Sequence, residues 1–108
     1  MSFDLYIDEG IKALKAMESY MEVARKVKEV VLRYRSDARV YVFGSVVEER
    51  YTAASDIDIL IVVDVDRDEA YKIKAEIYEE VDAPIQLHIA TPVQLRWYTR
   101  FINKLIEV

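Results

Sequence analysis

The stretch that decides the fold begins with Val40-Tyr41-Val42-Phe43-Gly44-Ser45 and continues, ten residues later, with Asp56-Ile57-Asp58-Ile59-Leu60-Ile61-Val62-Val63. Both ends contain short runs of β-branched and aromatic residues, which are typical of buried strands. Gly44 and Ser45 end the first run, and the connecting segment is polar from residue 48 to residue 55. The pattern therefore predicts a strand over residues 40–43 and a stronger strand over residues 57–63.

Before this stretch, apolar residues recur in steps of three and four, which is the period of one helix face. They are Leu14, Met17, Met21, Ala24, Val27, Val31 and Tyr34. Charged residues fill the opposite face, so we predict one amphipathic helix over residues 14–34. The pattern extends back to Asp8, with Gly10 as a weak point.

After this stretch, we predict a helix, a strand and a last helix. Steps of three and four indicate a helix over residues 69–81, and Asp66 is placed to cap it. Alternating apolar and polar residues over 85–90 predict a half-buried strand. The last helix is predicted from Thr91 as N-cap, with Pro92 and Gln94 completing its start. Its apolar face consists of Leu95, Tyr98, Ile102 and Leu105.

The predicted order of elements is α-β-β-α-β-α. This order predicts the α/β (α+β) class, with a small mixed β-sheet flanked by helices. The 108 residues fit one hydrophobic core, so we predict a single domain over residues 1–108. A chain of this length leaves no room for a second lobe that closes over a substrate.

Composition excludes several classes of function. The chain has no cysteine and one histidine, His88. A disulfide framework, a thiolate zinc site, a cysteine nucleophile and a zinc site built from several histidines are therefore excluded. The net charge of -5 argues against a nucleic-acid binder that neutralises phosphates. The chemistry that remains is carboxylate chemistry.

No targeting signal is evident in the sequence. Residues 1–5 lack a basic region followed by an apolar run. The longest apolar stretch, residues 59–63, is far shorter than the roughly 20 residues of a membrane-spanning helix. We therefore expect a cytoplasmic protein.

Asp56 and Asp58 form a pair of carboxylates at the start of the most hydrophobic strand. Side chains two apart on a strand share a face, so the pair points the same way, with roughly 6.5 to 7 Å between positions. Oxygen ligands of this kind suit Mg²⁺, which is commonly held by one or two carboxylates and substrate phosphates. The alternative is structural: Asp56 caps a turn and Asp58 is a solvated edge residue.

Gly44 and Ser45 directly follow a predicted strand. A glycine there lets the backbone approach a phosphate, while adjacent N–H groups and the Ser45 hydroxyl can donate to its oxygens. A lone Gly-Ser after a strand is usually a turn. Here, however, it opens the interval that closes on Asp56 and Asp58.

The segment Phe43-Gly44-Ser45, ten residues, then Ser55-Asp56-Ile57-Asp58 resembles the signature of the DNA polymerase β-like nucleotidyltransferase superfamily. It is most similar to the minimal, single-domain members, which are often encoded beside a helical HEPN-domain protein. The resemblance implies a polymerase β palm-like nucleotidyltransferase fold. It also implies transfer of a nucleoside monophosphate from an NTP, usually ATP, to a hydroxyl group.

The resemblance also implies roles for individual residues. Gly44 and Ser45 would hold the triphosphate, and Asp56 and Asp58 would be catalytic ligands of one or two Mg²⁺ ions. Two further candidate nucleotide-binding residues are Ser55, within the motif, and Arg50, the only cation in the loop.

Two departures from the family pattern stand out. Active members have a third carboxylate on the neighbouring strand, whereas the polar face of residues 85–90 offers Gln86 and His88. An amide cannot act as a base, whereas the His88 imidazole can, so His88 is a third candidate catalytic residue. The alternative is a histidine hydrogen-bonded beside the sheet. In addition, Glu49 stands where related sequences often have glycine, and we expect Glu48 and Glu49 to face solvent.

We predict a nucleotidyltransferase that acts as the antitoxin of a HEPN-type toxin. By resemblance, it would add AMP to a tyrosine hydroxyl of that partner. The alternative is a degenerate member that neutralises the partner by binding alone, and a weaker one is a small-molecule nucleotidyltransferase. The aromatic cluster of the last helix, Trp97, Tyr98 and Phe101 with Arg96 and Arg100, is a candidate partner surface.

Overall fold

The computed structural model describes residues 3–108, which form four helices and four strands. The elements are α1 (Phe3–Glu18), α2 (Tyr20–Tyr34), β1 (Arg39–Phe43), β2 (Ile57–Val62), α3 (Arg67–Glu80), β3 (Ile85–Ala90), α4 (Leu95–Phe101) and β4 (Ile106–Glu107). The predicted class, a small mixed β-sheet flanked by helices, is confirmed. Within residues 3–108, no helix is long and apolar enough to cross a membrane.

The four strands form one mixed sheet in the order β3-β2-β1-β4. β1 is antiparallel to both β2 and β4, whereas β2 is parallel to β3. A parallel pair needs a crossover connection, and α3 provides it between β2 and β3. β2 is therefore an inner strand, which explains why its sequence is apolar on both faces.

The two faces of the sheet are covered unequally. One face, which includes Val42 and Ile59, packs against α2 and α3 in the main core. The other face, which includes Leu60, is covered by side chains of α4 and the segment after it, such as Leu95 and Tyr98. Because side chains alternate along a strand, Asp58 shares the second, thinly covered face with Leu60.

The prediction of one long N-terminal helix is wrong at Ser19. The Ser19 hydroxyl and its backbone N–H both donate to the Lys15 carbonyl oxygen, at 2.9 and 3.1 Å. A serine side chain that competes for a helix carbonyl favours a bend or a break. The chain therefore forms α1 and α2, and Leu14, predicted to face the core, is 38% exposed.

The last predicted helix is shorter than expected. The hydrogen bonds of the predicted cap are present, because Thr91 Oγ1 accepts from the Gln94 N–H and Gln94 Oε1 accepts from the Thr91 N–H. They close a turn before the helix, however: α4 begins at Leu95 with Gln94 as its N-cap, so the prediction of Thr91 as N-cap and Pro92 as first helical residue is wrong. In addition, α4 ends at Phe101, and the residues after Leu105 form β4 instead. The Val108 N–H donates to the Val40 carbonyl, so this segment covers the edge of β1.

The predicted N-cap of the third helix is confirmed. The Asp66 side chain accepts a hydrogen bond from the Glu69 N–H at 2.8 Å. An N-cap carboxylate satisfies one of the backbone donors that a helix start leaves free.

Candidate active site

The candidate site lies where the end of β1 meets the start of β2. In the antiparallel register Phe43 is opposite Asp58, so Gly44 follows directly beside that carboxylate. On the other side of β2, the parallel register places Asp58 opposite Gln86 on β3. Three strands thus bring together residues that are far apart in sequence.

Gly44 contacts Asp58 so closely that no side chain fits between them. Its φ is +84°, a conformation that L side chains rarely adopt. A Cβ at this position would lie 2.3 Å from Asp58 Oδ2. The backbone of the turn therefore touches the carboxylate, which only glycine allows.

The turn after Gly44 presents free backbone donors. The N–H groups of Val47 and Glu48 donate to the Gly44 carbonyl oxygen, and the Arg50 N–H donates to that of Ser45. Within residues 3–108, the N–H groups of Ser45 and Val46 have no protein acceptor. Successive free N–H groups in a turn make a concave site for anions, and phosphate oxygens fit it chemically.

Asp56 and Asp58 provide the oxygen ligands that Mg²⁺ prefers. Asp56 is exposed and lies directly before β2, whereas Asp58 is half-buried within that strand. No group of three or more His, Cys, Asp or Glu in the described part of the chain could hold a metal ion. By their chemistry, two carboxylates suit an Mg²⁺ ion that takes its remaining ligands from water and substrate phosphate oxygens.

His88 is the β3 side chain that lies beside Asp58. Its Nε2 lies 3.5 Å from Asp58 Oδ1. Its ring is held between Phe43, at 5.2 Å, and Tyr98, at 6.4 Å between ring centroids. Gln86, although directly opposite Asp58 in register, is exposed. The position beside the acidic pair is thus taken by an imidazole.

The two other candidate nucleotide ligands make local contacts. Ser55 Oγ accepts from the Thr52 N–H at 2.9 Å, which closes the end of the loop. The exposed Arg50 forms an ion pair through Nη2 with Oε2 of Glu48 at 2.9 Å, and Glu48, which was expected to face solvent, is half-buried. Nucleotide binding by Ser55 and Arg50 stays a prediction.

Glu49 is exposed and has a φ of +57°. This left-handed conformation favours glycine, since a Cβ is strained there. Glycine therefore suits this position because of the backbone conformation. It is not needed there to leave space for a ligand.

An apolar pocket beside His88 was missed in the sequence analysis. It has a volume of about 300 Å³ and is lined by Phe43, His88, Trp97, Tyr98, Phe101 and Ile102. The aromatic cluster on the last helix was visible in the sequence. Its position next to the acidic pair was not, because it depends on how α4 packs against the sheet.

Two rings at the mouth of this pocket are exposed. The side chains of Trp97 and Phe101 are 62% and 76% exposed. Their rings are nearly parallel, with centroids 6.3 Å apart, and Arg100 lies over the Trp97 ring at 5.7 Å. Large exposed aromatic side chains of this kind indicate a binding surface.

Comparisons with known proteins identify the family and the fold that the chain is similar to. The model of the nucleotidyltransferase domain family matches residues 24–106. One solved structure, a provisionally assigned nucleotidyltransferase, is 35% identical, covers 78% of this chain and 95% of its own, and has a TM-score of 0.67. Another, from Sulfolobus solfataricus and assigned in the same provisional way, is 17% identical, covers 89% and 85%, and has a TM-score of 0.64. The second likeness shows the fold alone. No curated protein matches the chain.

Proposed function

Since the chain belongs to the nucleotidyltransferase domain family, we propose that it transfers AMP from ATP, with Mg²⁺, to a hydroxyl group on a partner protein in the cytoplasm. The observation that carries this proposal is the contact between the Gly44 turn and Asp58. Because of this contact, backbone N–H groups that can bind an anion lie close to a carboxylate that can bind Mg²⁺, where β1 ends and β2 begins.

The nucleotide is held from two sides. The free N–H groups of Ser45 and Val46 donate to phosphate oxygens, and the Ser45 hydroxyl is placed to add a third donor. Asp56 and Asp58 bind Mg²⁺, which when present neutralises charge on the transferring phosphoryl group and the leaving pyrophosphate.

His88 supplies the base in this proposal. The acceptor oxygen attacks the α-phosphorus and forms a new P–O bond, while the bond from that phosphorus to the pyrophosphate oxygen breaks. The proton of the acceptor hydroxyl passes to the His88 imidazole. The Asp58 carboxylate, 3.5 Å away, stabilises the imidazolium that results.

The pocket beyond His88 supports an aromatic acceptor. A hydroxyl group at His88 places the rest of the acceptor against Phe43, Tyr98 and the exposed rings of α4. A tyrosine side chain combines a ring for this apolar lining with a phenolic hydroxyl at its end. We take the acceptor to be a tyrosine of a HEPN-domain toxin, which would make this protein its antitoxin.

The first experiment tests transfer. The protein is incubated with α-labelled ATP, Mg²⁺ and candidate HEPN-domain proteins, and label on the partner is measured. Asp58→Asn is expected to abolish labelling. Asp64→Asn, which removes an exposed carboxylate at the other end of β2, is expected to retain it. Labelling by Asp58→Asn, or the lack of any label transfer, would contradict the enzymatic proposal.

A second experiment tests His88. His88→Asn removes the base and is expected to lower the transfer rate by about 10² to 10⁴-fold. His88→Asp places a carboxylate at the position that the resemblance assigns to the third acid, and it is expected to recover much of that loss. An unchanged rate in His88→Asn would remove the imidazole from the mechanism.

One observation favours a second candidate function. In the part of the chain that the structure describes, no third carboxylate joins Asp56 and Asp58. A degenerate member would neutralise its partner by binding alone. In that case Asp56→Asn with Asp58→Asn still forms the complex and suppresses the partner, whereas under the enzymatic proposal suppression is lost.

A further inference from the structure

A second cavity, of about 330 Å³, lies at the end of the sheet opposite the candidate active site. Val63 and Ala90, where the parallel strands β2 and β3 end, contribute to its lining. Asp58 lies near the start of β2, roughly 16 Å from Val63 along the strand. The cavity shares no lining residue with the apolar pocket beside His88. It is therefore separate from the candidate active site, and its size suits a small ligand.

One wall of this cavity is a face of α3. Arg67, Ala70, Tyr71 and Lys74 all line it, and their spacings of three and four place them on one side of the helix. Arg67 and Lys74 are about 10 Å apart along the helix axis. Ala70, between them, is small and leaves space. Two long cationic side chains can therefore reach one ligand that is held over Ala70.

Both cations are free to bind an anion. Neither Arg67 nor Lys74 forms an ion pair within residues 3–108. The described chain has two half-buried lysines, Lys28 and Lys74. Lys28 donates to the Val108 carbonyl oxygen, whereas Lys74 has no hydrogen-bond partner within residues 3–108. A charge that is partly removed from water is costly unless it is paired, so Lys74 points to an anionic ligand.

The acids near the cavity do not neutralise these cations. Asp66 is the one acid among the lining residues, and its side chain caps α3 by accepting from the Glu69 N–H. Glu69 itself is paired with Arg35. Asp64 and Asp68 are exposed and do not line the cavity. The lining therefore has one more cation than anion, and we expect Asp66 to weaken the binding of an anion without preventing it.

The opposite wall contributes uncharged donors. The Thr91 N–H donates to Gln94 Oε1, and the Gln94 N–H donates to Thr91 Oγ1. These bonds leave the side-chain NH₂ group of Gln94 and the hydroxyl hydrogen of Thr91 free to donate. Both residues line the cavity. Charged donors on one wall and neutral donors on the other suit an anion that has several oxygens.

We propose that this cavity is a second binding site of the protein, which takes a small organic phosphate. Arg67 and Lys74 bind the phosphate oxygens, because guanidinium and ammonium groups are the side chains that pair best with a phosphate dianion. Val63, Ile89 and the exposed ring of Tyr71 contact the organic part of the ligand. The site consists of side chains on two walls and does not depend on the capped end of α3.

Phenyl phosphate is the probe that tests this proposal, because it joins a phosphate monoester to a single ring. It is titrated into ¹⁵N-labelled protein without divalent metal ions, and amide shifts are followed by NMR. Saturable shifts are expected at Ala70, Thr91 and Gln94. Signals of Ser45 and Val46 report separately on the candidate active site. Inorganic phosphate is expected to shift the same signals of the cavity with weaker affinity, since it lacks the organic part.

Charge variants identify the residues that bind the phosphate. Lys74→Gln is expected to raise the dissociation constant of phenyl phosphate by about 10-fold or more, as for the loss of one charged hydrogen bond. The matched control is Lys72→Gln, which removes the same charge from an exposed lysine of α3 that does not line the cavity. It is expected to leave binding unchanged. Asp66→Asn keeps a capping side chain, removes the acid and is expected to tighten binding.

A variant that changes volume and not charge tests the cavity itself. Ala70→Leu fills the space between the two cations and is expected to abolish binding, while leucine preserves the helix. Thermal denaturation establishes that each variant is folded. The proposal is overturned by the absence of saturable shifts, by shifts confined to Ser45 and Val46, or by equal affinity for inorganic phosphate. It is also overturned by equal losses in Lys74→Gln and Lys72→Gln, or by a folded Ala70→Leu variant that still binds.

Discussion

Two residues of the loop between β1 and β2 have left-handed backbone conformations. Gly44 and Glu49 both have positive φ, of +84° and +57°. Glycine adopts this region without strain, whereas glutamate does so at a cost. Replacing Gly44 is therefore expected to destabilise the fold, whereas glycine at position 49 is expected to relieve strain.

Gly44→Ala is expected to lower the free energy of unfolding by about 1–3 kcal/mol, because the left-handed backbone becomes strained and the new Cβ collides with Asp58. The displaced carboxylate is expected to reduce transfer by about 100-fold. Urea denaturation and the labelling assay measure the two effects.

The control is Gly10→Ala in α1, where a Cβ would meet only Ala53 Cβ, at 4.0 Å. This variant is expected to gain about 0.5–1 kcal/mol, because alanine is the better helix former. Equal stabilities of the two variants would contradict the assignment of Gly44.

Glu49→Gly is expected to be more stable than Glu49→Ala by about 1 kcal/mol. Both variants remove the same charge, but only glycine relieves the strain of the positive φ at this exposed position. Thermal denaturation of the two variants gives the comparison. If alanine stabilises the fold as much as glycine, the charge and not the backbone governs this position.

At the scale of elements, ion pairs join the end of α2, including its C-cap residue Arg35, to α3. Arg35 donates to Glu69 at 2.7 and 3.1 Å, and Arg33 donates to Glu80 at 2.7 Å. The hydrogen bond from Arg35 lowers the pKa of Glu69, and that from Arg33 lowers the pKa of Glu80. A carboxyl group with a lowered pKa in the folded state contributes stability that is present above its unfolded pKa and lost in acid.

Glu69→Gln with Glu80→Gln is therefore expected to be slightly less stable than the unaltered protein at neutral pH. The difference is expected to disappear as the pH falls from the ordinary value of 4.5 through the lowered pKa values. Thermal denaturation as a function of pH measures it. Glu79→Gln, an exposed residue of α3 without an ion pair in the described chain, should show no such pH-dependent loss. A difference that persists in acid would exclude the ion pairs as its cause.

The largest errors of the sequence-based prediction also lie at the scale of elements. The break at Ser19 depends on one side-chain hydrogen bond to Lys15, which leaves the apolar period of the helix nearly intact. β4 pairs with the edge of β1 that is still open after β1 has paired with β2. β4 therefore depends on a sheet that is already formed. Neither local propensity nor period contains this information.

At the scale of the whole molecule, the unequal cover of the sheet creates the site. α2 and α3 bury one face in the main core, whereas the face with Asp58 and His88 is covered only in part by α4. The exposed rings of α4 can therefore act in binding without being needed for folding.

Trp97→Ala with Phe101→Ala is expected to change the free energy of unfolding by less than about 0.5 kcal/mol, because both rings are largely exposed. Transfer to the partner is expected to fall by about 10-fold or more, as for aromatic anchors at interfaces. Binding of ATP, measured by calorimetry, should be unchanged. Weaker ATP binding would instead assign this surface to the nucleotide.

The sequence by itself determined the two central strands, the presence of helices beside them and the motif that joins Gly44 to Asp58, but not the break in the first helix or the limits of the last. Those features follow from local period, residue propensity and fixed spacing, which the unfolded chain already contains. Only the tertiary structure decided that His88 and not Gln86 lies beside Asp58, and that α4 lines a pocket next to them. These contacts join residues far apart in sequence, so they depend on strand register and helix packing, which are set by burial of the whole core.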